Sequence, residues 1–516
     1  MHFVTSNFNL LQSNKIWEII KKKHNIYLDE DYNDFYYKLN DTKIINNYKT
    51  FHIFIYLDIF NVDQNLKLLK ELRKKFLIRN KLFFLHIINY TSINIKNNNY
   101  ITNKISNFIS AVNLEKKNLY VKIYYQKKET FFNNRNKIYI KFPFEISALK
   151  EFSKIIDNDL KILNSKPYKL IILDCDNTLW GGILNEEKAI GLTYGDEGEG
   201  FIFKQFQETL KKLKNDGFLL SISSKNNEKD VWNAMKIRKM ILQKKDFLKP
   251  KINWGEKYLN IKKTISELSL RPADVIFIDD NILEIKKVKK FVKKINLLHI
   301  NEQSIINKKI ENDLRFQKLI VLEEDLKKYD QYKIKLKYDQ LKEENKVDLK
   351  FFYKLKQKIN FYNCNPSNFE RALQLFNKTN QFNFSLNRYT RTDLQKIIKN
   401  KKFELKLFSL NDKFGDHGII GAYLIYKKSK ITEIIDFVLS CRVLNRYVEN
   451  YIIYSILKKY NIKKINIKYL NTELNDKLIP EFLKNNFFKL TKKNKNKYLY
   501  RVIFNEKFNE IKRIFS

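Results

Sequence analysis

Glycine is scarce in this chain, with 11 among 516 residues and none before Gly181. A hydrolase nucleophile at Ser6 or Asn7, after the first strand-like run, would need a glycine-rich elbow, so that reading fails and a turn is expected there. Cysteine is scarcer still: Cys175, Cys364 and Cys441 are odd in number and far apart. That spacing excludes a disulfide framework and a zinc ribbon, and points to a reducing compartment. No apolar stretch approaches the length of a membrane span, and the first residues lack the basic start and apolar core of a signal peptide. A cytoplasmic protein with no membrane span is expected.

What is abundant is lysine, together with Asn, Ile, Tyr and Phe. The formal charge of +42 and pI near 9.7 would ordinarily suggest nucleic acid. Because several residue types are enriched together while Ala, Gly and Pro are depleted, the lysines are read as a compositional bias and mostly solvated surface. No nucleic-acid partner is expected. The length fits about three domains, with enough apolar content for real cores.

Residues 1–165 alternate strand-like runs (His2–Thr5, Phe51–Leu57, Lys81–Asn89, Leu119–Tyr125) with helical ones (Ile16–Lys22, Leu66–Phe76, Ile101–Val112), which predicts an α/β layer domain used for binding or docking. A helix over 144–163, with Ile146, Leu149, Phe152, Ile155 and Ile156 on its apolar face, leads to a boundary at Pro167.

The glycines fall in two clusters, 181–255 and 415–421, where positive φ or close backbone approach to a ligand is expected. The first follows Leu170-Ile171-Ile172-Leu173, a continuous apolar run suited to a strand buried on both faces. It exits into Asp174-Cys175-Asp176. Residues two apart in an extended segment point the same way, so both carboxylates can converge on a cation and a phosphoryl group at the strand's carboxyl end. Two further strand ends are polar: Phe218–Ile222 runs into Ser223-Ser224-Lys225-Asn226, and Val275–Ile278 into Asp279-Asp280-Asn281. Between them, Trp254-Gly255-Glu256-Lys257 opens a helix. The short spacing leaves no room for a large cap domain.

DxDxT after a strand, Ser after the next, Lys at a helix start and a terminal Asp-Asp resemble, in that order, the four motifs of the haloacid dehalogenase superfamily. The wording LDCDNTLWGG, SSKNN, WGEKYLNI and FIDDN resembles its FkbH-like branch. The resemblance implies that Asp174 is the nucleophile and Asp176 the general acid and then base. Ser224 and Lys257 would hold phosphoryl oxygens, with Thr178 and Asn226 as further substrate contacts. Mg²⁺ would be held by Asp174, the main-chain carbonyl of Asp176, and Asp280 helped by Asp279. Ser223 competes with Ser224, and Cys175 reads as a small core residue.

Residues 313–346 read as a charged amphipathic connector with Leu319, Leu322, Leu326, Tyr329 and Leu336 at helical spacing. In 347–516, Thr379-Asn380-Gln381-Phe382-Asn383 and Arg388-Tyr389-Thr390 also resemble FkbH-like proteins, and strands over 404–410, 419–426 and 431–439 with helices resemble an N-acetyltransferase-like (GNAT) fold. The segment Ser440–Glu449 lies where acetyltransferases carry the glycine-rich loop that cradles coenzyme A pyrophosphate, and it has no glycine. Arg442 and Arg446, spaced i, i+4 at a helix start, could grip a phosphate. Cys441 beside them is a candidate reactive thiolate or a buried structural cysteine. Asp416 and His417 orient substrate or simply form a hairpin turn.

The fold expected is therefore multidomain α/β: an N-terminal α/β domain (1–165), a dehalogenase-like Rossmannoid domain with little or no cap (166–312), the connector, and a C-terminal α+β GNAT-like acyltransferase domain. The resemblance implies a Mg²⁺-dependent phosphatase and acyltransferase. It would dephosphorylate a phosphoglyceryl acyl phosphate such as 1,3-bisphosphoglycerate and deliver the glyceryl or a similar acyl group to an acyl carrier protein thiol. The alternatives are a phosphatase of another phosphorylated acid or sugar coupled to acylation of a glycan or amine, and a polynucleotide phosphatase.

Overall fold

The computed structural model describes residues 1–29, 31–57, 62–78, 82–90, 100, 103–108, 119–126, 132–318, 321, 323–344, 348–428, 431–462, 464–484 and 487–515. By contact density the chain divides into two units: Met1–Lys166 with Gln317–Leu322, and Pro167–Phe316 with Glu323–Ser516. It is a multidomain α/β chain built on three sheets. Among the described residues no helix is long and apolar enough to cross a membrane.

In the first unit, strands β1 (His2–Ser6), β2 (Ile26–Leu28), β3 (Thr50–Leu57), β4 (Leu82–Tyr90) and β5 (Leu119–Gln126) form a parallel sheet in the order β2-β1-β3-β4-β5. The central strand β3 is buried along its whole length, and separate apolar clusters cover the two sheet faces. One contains the helix Val62–Ile78, the other the helix Ala148–Asn164. Ile146, expected on the apolar face of that second helix, lies before its start and is exposed. The expected helix over 101–112 is described only at 103–108, which are helical. Strand β2 was not anticipated, because three residues are too few to show a period.

In the second unit, β6 (Leu170–Leu173), β7 (Leu219–Ser224), β8 (Lys251–Ile252), β9 (Val275–Asp279) and β10 (Asn296–His299) form a second parallel sheet in the order β10-β9-β6-β7-β8. All four β6 side chains are fully buried. Ile171 and Leu173 join one apolar cluster, and Leu170 and Ile172 join the one on the opposite face. Each contributes about 1.5–3 kcal/mol of transfer free energy, which is why the run is continuous rather than alternating. Being parallel, β6, β7 and β9 present their carboxyl ends along one edge. The stretches between them hold helices and the short β8, with no separate sheet-forming insert.

The third sheet contains β11 (Lys358–Asn363), β12 (Phe403–Asp412), β13 (Gly415–Lys428), β14 (Ile431–Leu439), β15 (Lys464–Leu470), β16 (Phe488–Asn494) and β17 (Lys497–Ile503), in the order β11-β12-β13-β14-β15-β17-β16. Every pairing is antiparallel except β14 with β15, which runs parallel and joins only Glu433 to Asn466 and Ile434 to Ile467. Beyond that point the gap is filled by the chain's own segment at Phe382–Phe384. The Phe384 amide donates to the Phe437 carbonyl (3.1 Å), the Leu439 amide to the Phe382 carbonyl (3.0 Å), and the Leu470 amide to the Phe384 carbonyl (2.8 Å).

The connector holds a helix over Lys328–Glu344, packed by a stripe of Gln331, Tyr332, Lys335 and Tyr338. The expected stripe differs. Leu326 is exposed, Leu319 and Leu322 lie outside the described residues, and only Tyr329 and Leu336 pack on the core beside the second sheet. Within the stripe the Lys335 ammonium meets a main-chain partner, donating to the Glu267 carbonyl (2.9 Å).

Candidate active site

Three strand ends and one helix start meet at the carboxyl edge of the second sheet. Asp174 follows β6 directly, its amide donating to the Ile278 carbonyl of β9 at 3.0 Å. Ser224 ends β7, Asp279 ends β9 with Asp280 next, and Lys257 opens the helix Lys257–Glu267. These are the residues that the strand-end reading singled out, and the fold brings them together.

Carboxylate oxygens of Asp174, Asp279 and Asp280 lie within 4.8 Å of one another. The buried Lys257 ammonium is wedged among them, 2.9 Å from Asp174 Oδ1 and 2.7 Å from Asp279 Oδ2. The other Asp279 oxygen accepts from the Asn281 amide (2.8 Å), so Asp279 is held by protein groups at both oxygens. Burial, reinforced by the charge of Asp174, pushes the Asp279 carboxyl up to about 7 and raises that of Asp280 as well. Burial also tends to depress the Lys257 ammonium, but the two carboxylates outweigh it and hold the group charged. An all-oxygen donor set crowded enough to raise its own pKa values is one that a hard divalent cation relieves, so the residues fit Mg²⁺.

Asp176 is held by partners outside that triad. Its Oδ1 accepts from Trp180 Nε1 and the Leu184 amide (both 3.1 Å), and its Oδ2 accepts from Asn226 Nδ2 at 2.9 Å. Asn226 Nδ2 also donates to Ser224 Oγ (3.2 Å), linking the ends of β6 and β7. Burial raises the Asp176 carboxyl, against the lowering effect of those donors. Its side chain is thus not one of the converging carboxylates, which leaves only its main-chain carbonyl for the expected metal contact. Ser224 and Ser223 separate as strand alternation requires: Ser224 joins Asn226, while Ser223 Oγ turns toward the Lys257 carbonyl (3.5 Å).

The loop after β6 turns sharply. The Thr178 and Leu179 amides both donate to the Cys175 carbonyl, and Asn177, in the left-handed region at φ 50°, accepts from the Gly182 amide at 2.9 Å. Gly182 sits at φ +94°, a backbone conformation that strains any side chain, so the turn itself favours glycine there. Thr178 is buried, its carbonyl accepting from Gln303 Nε2 (3.1 Å). Cys175 is a fully buried core residue whose thiol is pushed well up by burial. Trp180, Gln303 and His299 were not anticipated. His299 Nε2 lies 2.8 Å from the Asp280 carbonyl, and its place at the end of β10, in register with Asp279, is the same strand-end signal read at the other strands.

The C-terminal candidates are arranged differently from expectation. Cys441–Val443 is a single 3₁₀ turn, and the following α-helix starts only at Val448. Arg442 and Arg446 therefore do not share a helix face. Arg446 is 0% exposed, its Nη1 donating to Asp412 Oδ2 (2.8 Å) and its guanidinium lying 3.6 Å over the Tyr338 ring. Asn445 and Tyr447 on either side have positive φ (59° and 63°), which turns the Arg446 side chain inward. Arg442 Nε donates to Ser440 Oγ (3.2 Å). The Cys441 side chain lies outside the described residues. His417 is buried against Asp412 (Nε2 to Oδ2, 2.8 Å), while Asp416 accepts from the Gly418 amide (2.7 Å) and lines a cavity of about 240 Å³ with Gln331, Tyr362 and Ser409.

No protein-family model matches this chain, and no curated protein does. Among solved structures it is similar to the N-terminal part of a Bacteroides fragilis protein containing a phosphatase domain complexed with Mg, at 21% identity and TM-score 0.41, covering 65% of this chain and 92% of that one. It is also similar to a Thermoplasma acidophilum N-acetyltransferase in complex with coenzyme A (13% identity, TM-score 0.23, 28% of this chain, 99% of that one). A Listeria monocytogenes GNAT-family acetyltransferase stands close to the second (12%, 0.22, 28% and 95%). At these scores the likenesses carry no weight beside the geometry.

Proposed function

We propose that this protein is a Mg²⁺-dependent phosphatase joined to an acyltransferase, the phosphatase half spanning residues 166–312 and the acyltransferase half 347–516. The observation that carries the reading is the meeting of Asp174, Asp176, Ser224, Lys257, Asp279 and Asp280 at one sheet edge. Asp174 attacks phosphorus, the ester P–O bond breaks, and Asp176 gives its proton to the departing alkoxide. Asp176 then takes a proton from the water that hydrolyses the aspartyl phosphate. Burial raises its pKa, which favours the protonated form that a general acid needs. Lys257 and the Ser224 hydroxyl bind phosphoryl oxygens, and Asp174 with Asp280, helped by Asp279, would hold Mg²⁺, which when bound offsets charge on the transferring group.

The substrate we infer is a phosphoglyceryl acyl phosphate such as 1,3-bisphosphoglycerate, and the acceptor an acyl carrier protein thiol. Support comes from the motif resemblance and from the basic charge of a chain that would meet an acidic carrier. Thiolate attack at the acyl carbon, with Cys441 as its candidate relay, expels phosphate from C1, and the aspartate site removes the remaining phosphate ester. Intact-mass measurement on candidate carriers incubated with the protein, Mg²⁺ and 1,3-bisphosphoglycerate tests this. A glyceryl mass shift lost in Asp174→Asn is expected; phosphate release with no shift on any carrier would leave only the phosphatase.

A further inference from the structure

The first unit holds a group of side chains that the phosphatase chemistry does not use. His52 on β3 and His86 on β4 lie on the same sheet face, since the register pairs His52 with Phe84 and Phe54 with His86. The four rings alternate as a checkerboard, His52 stacked on Phe84 (4.4 Å between centroids) and His86 on Phe54 (4.5 Å). The helix Ala148–Asn164 crosses this face and sets Asp159 against both imidazoles. Asp159 Oδ2 is 3.2 Å from His86 Nε2 and 3.8 Å from His52 Nδ1, and all three residues are completely buried.

The geometry points to a bound transition-metal ion, Zn²⁺ by its chemistry, held by His52 Nδ1, His86 Nε2 and an Asp159 carboxylate oxygen. Donors at about 2.0–2.1 Å from a tetrahedral zinc stand about 3.3–3.4 Å apart. The two separations here, 3.2 and 3.8 Å, bracket that value. The longer one exceeds a hydrogen bond. All three potential ligand atoms lie within 4.8 Å of one another. Two imidazoles with one carboxylate are a donor set of the zinc and non-haem iron type, whereas Mg²⁺ prefers oxygen alone.

A supporting contact orients His52. Its Nε2 is 3.3 Å from Thr50 Oγ1, which is 2.7 Å from His2 Nδ1. In the tautomer that donates Nε2–H to Thr50 Oγ1, the His52 Nδ1 lone pair faces the Asp159 carboxylate, where a bound cation would sit between them. A ligand histidine donating its second ring N–H is the usual arrangement around protein-bound zinc. No fourth His, Cys, Asp or Glu joins the group among the described residues, so water is assigned the remaining tetrahedral position.

The test is metal content of the full-length protein, expressed and purified with Zn²⁺ present and then gel-filtered in excess Mg²⁺. Wild type and Asp174→Asn are expected to retain about one Zn²⁺ per chain, and His86→Gln and Asp159→Asn to lose it. Equal zinc in all four proteins, or no stoichiometric metal in wild type, overturns the assignment. Should the two buried variants fail to fold by circular dichroism, wild type produced with Co²⁺ decides. The intense visible bands of tetrahedral Co²⁺ support the site, and their absence refutes it.

Discussion

Lys257 is the residue whose loss separates the electrostatic account of the site from a merely steric one. Its ammonium is buried between two carboxylates, 2.9 Å from Asp174 and 2.7 Å from Asp279. Lys257→Met keeps the length and apolar stem of the side chain and removes the charge. Taking one partner from a buried ion pair costs about 3–5 kcal/mol, because the remaining carboxylates stay in a poorly solvated place. Here the cost is expected toward the lower end, since Asp279 can take up a proton instead. Asp279→Asn removes one of the two stranded charges and shortens the penalty, so the double variant should be less destabilised than the sum of the singles by about 1–3 kcal/mol. Denaturant unfolding without Mg²⁺, on all four proteins, reads this directly. Excess Mg²⁺ should recover part of the loss in Lys257→Met, because the cation replaces the missing charge. Turnover of an acyl or aryl phosphate by the single variant should fall about 10²–10³-fold, as for loss of one preorganised electrostatic donor. Additive stabilities would refute the charge-bridge reasoning, and turnover within a few-fold of wild type would refute the placement of phosphate at Lys257.

Two further outcomes follow from the C-terminal half. Coenzyme A should not bind there. The strand-end loop has no glycine, its Arg446 is committed to Asp412 and Tyr338, and the gap between β14 and β15 is filled by Phe382–Phe384; a calorimetric titration showing micromolar affinity would overturn this. Asp436, buried on β14 and accepting from Tyr389 and from Asn387 Nδ2 (3.0 Å), is raised by burial to about 6 despite those donors. Between the unfolded value near 3.9 and that folded value the native state binds more protons, so the carboxyl loses stability as pH rises through this window. Asp436→Asn removes that loss. Its stability relative to wild type should therefore climb by about 2–3 kcal/mol from pH 4 to pH 7, and a flat difference across denaturation curves would disprove it.

The cluster at the carboxyl edge of the second sheet was legible because each part is local: an apolar run followed by a polar strand end, repeated at β6, β7 and β9, with parallel pairing left to bring the ends together. Lys257 was readable for the same reason, as the first residue of a helix. Arg446 was not. Its spacing from Arg442 suggested one helix face, but the helix begins at Val448, and the turn before it uses Asn445 and Tyr447 at positive φ without a glycine to announce it. The partners that bury it, Asp412 and Tyr338, come from a hairpin and a connector helix whose positions depend on the whole sheet. The wedge at Phe382–Phe384 was hidden likewise, since a motif read for its resemblance serves here as backbone spanning two diverged strands.

Composition misdirects in a chain biased this strongly, because 99 lysines and arginines make each one individually uninformative. Scarcity carries the signal instead, and histidine shows it: there are only six. His52 and His86 meet Asp159 in a closed core, His2 orients His52 through Thr50, His299 reaches the Asp280 carbonyl, and His417 pairs with Asp412. His24 pairs with Asp157 at 2.8 Å. A biased composition supplies lysine and asparagine wherever nothing opposes them, whereas a histidine kept inside a sheet must be held there by a partner. The glycine-poor first 165 residues looked chemically silent because glycine was the marker followed. By the histidine marker they bring His52, His86 and Asp159 within 4.8 Å of one another, the same bound that holds for Asp174, Asp279 and Asp280 in the second sheet.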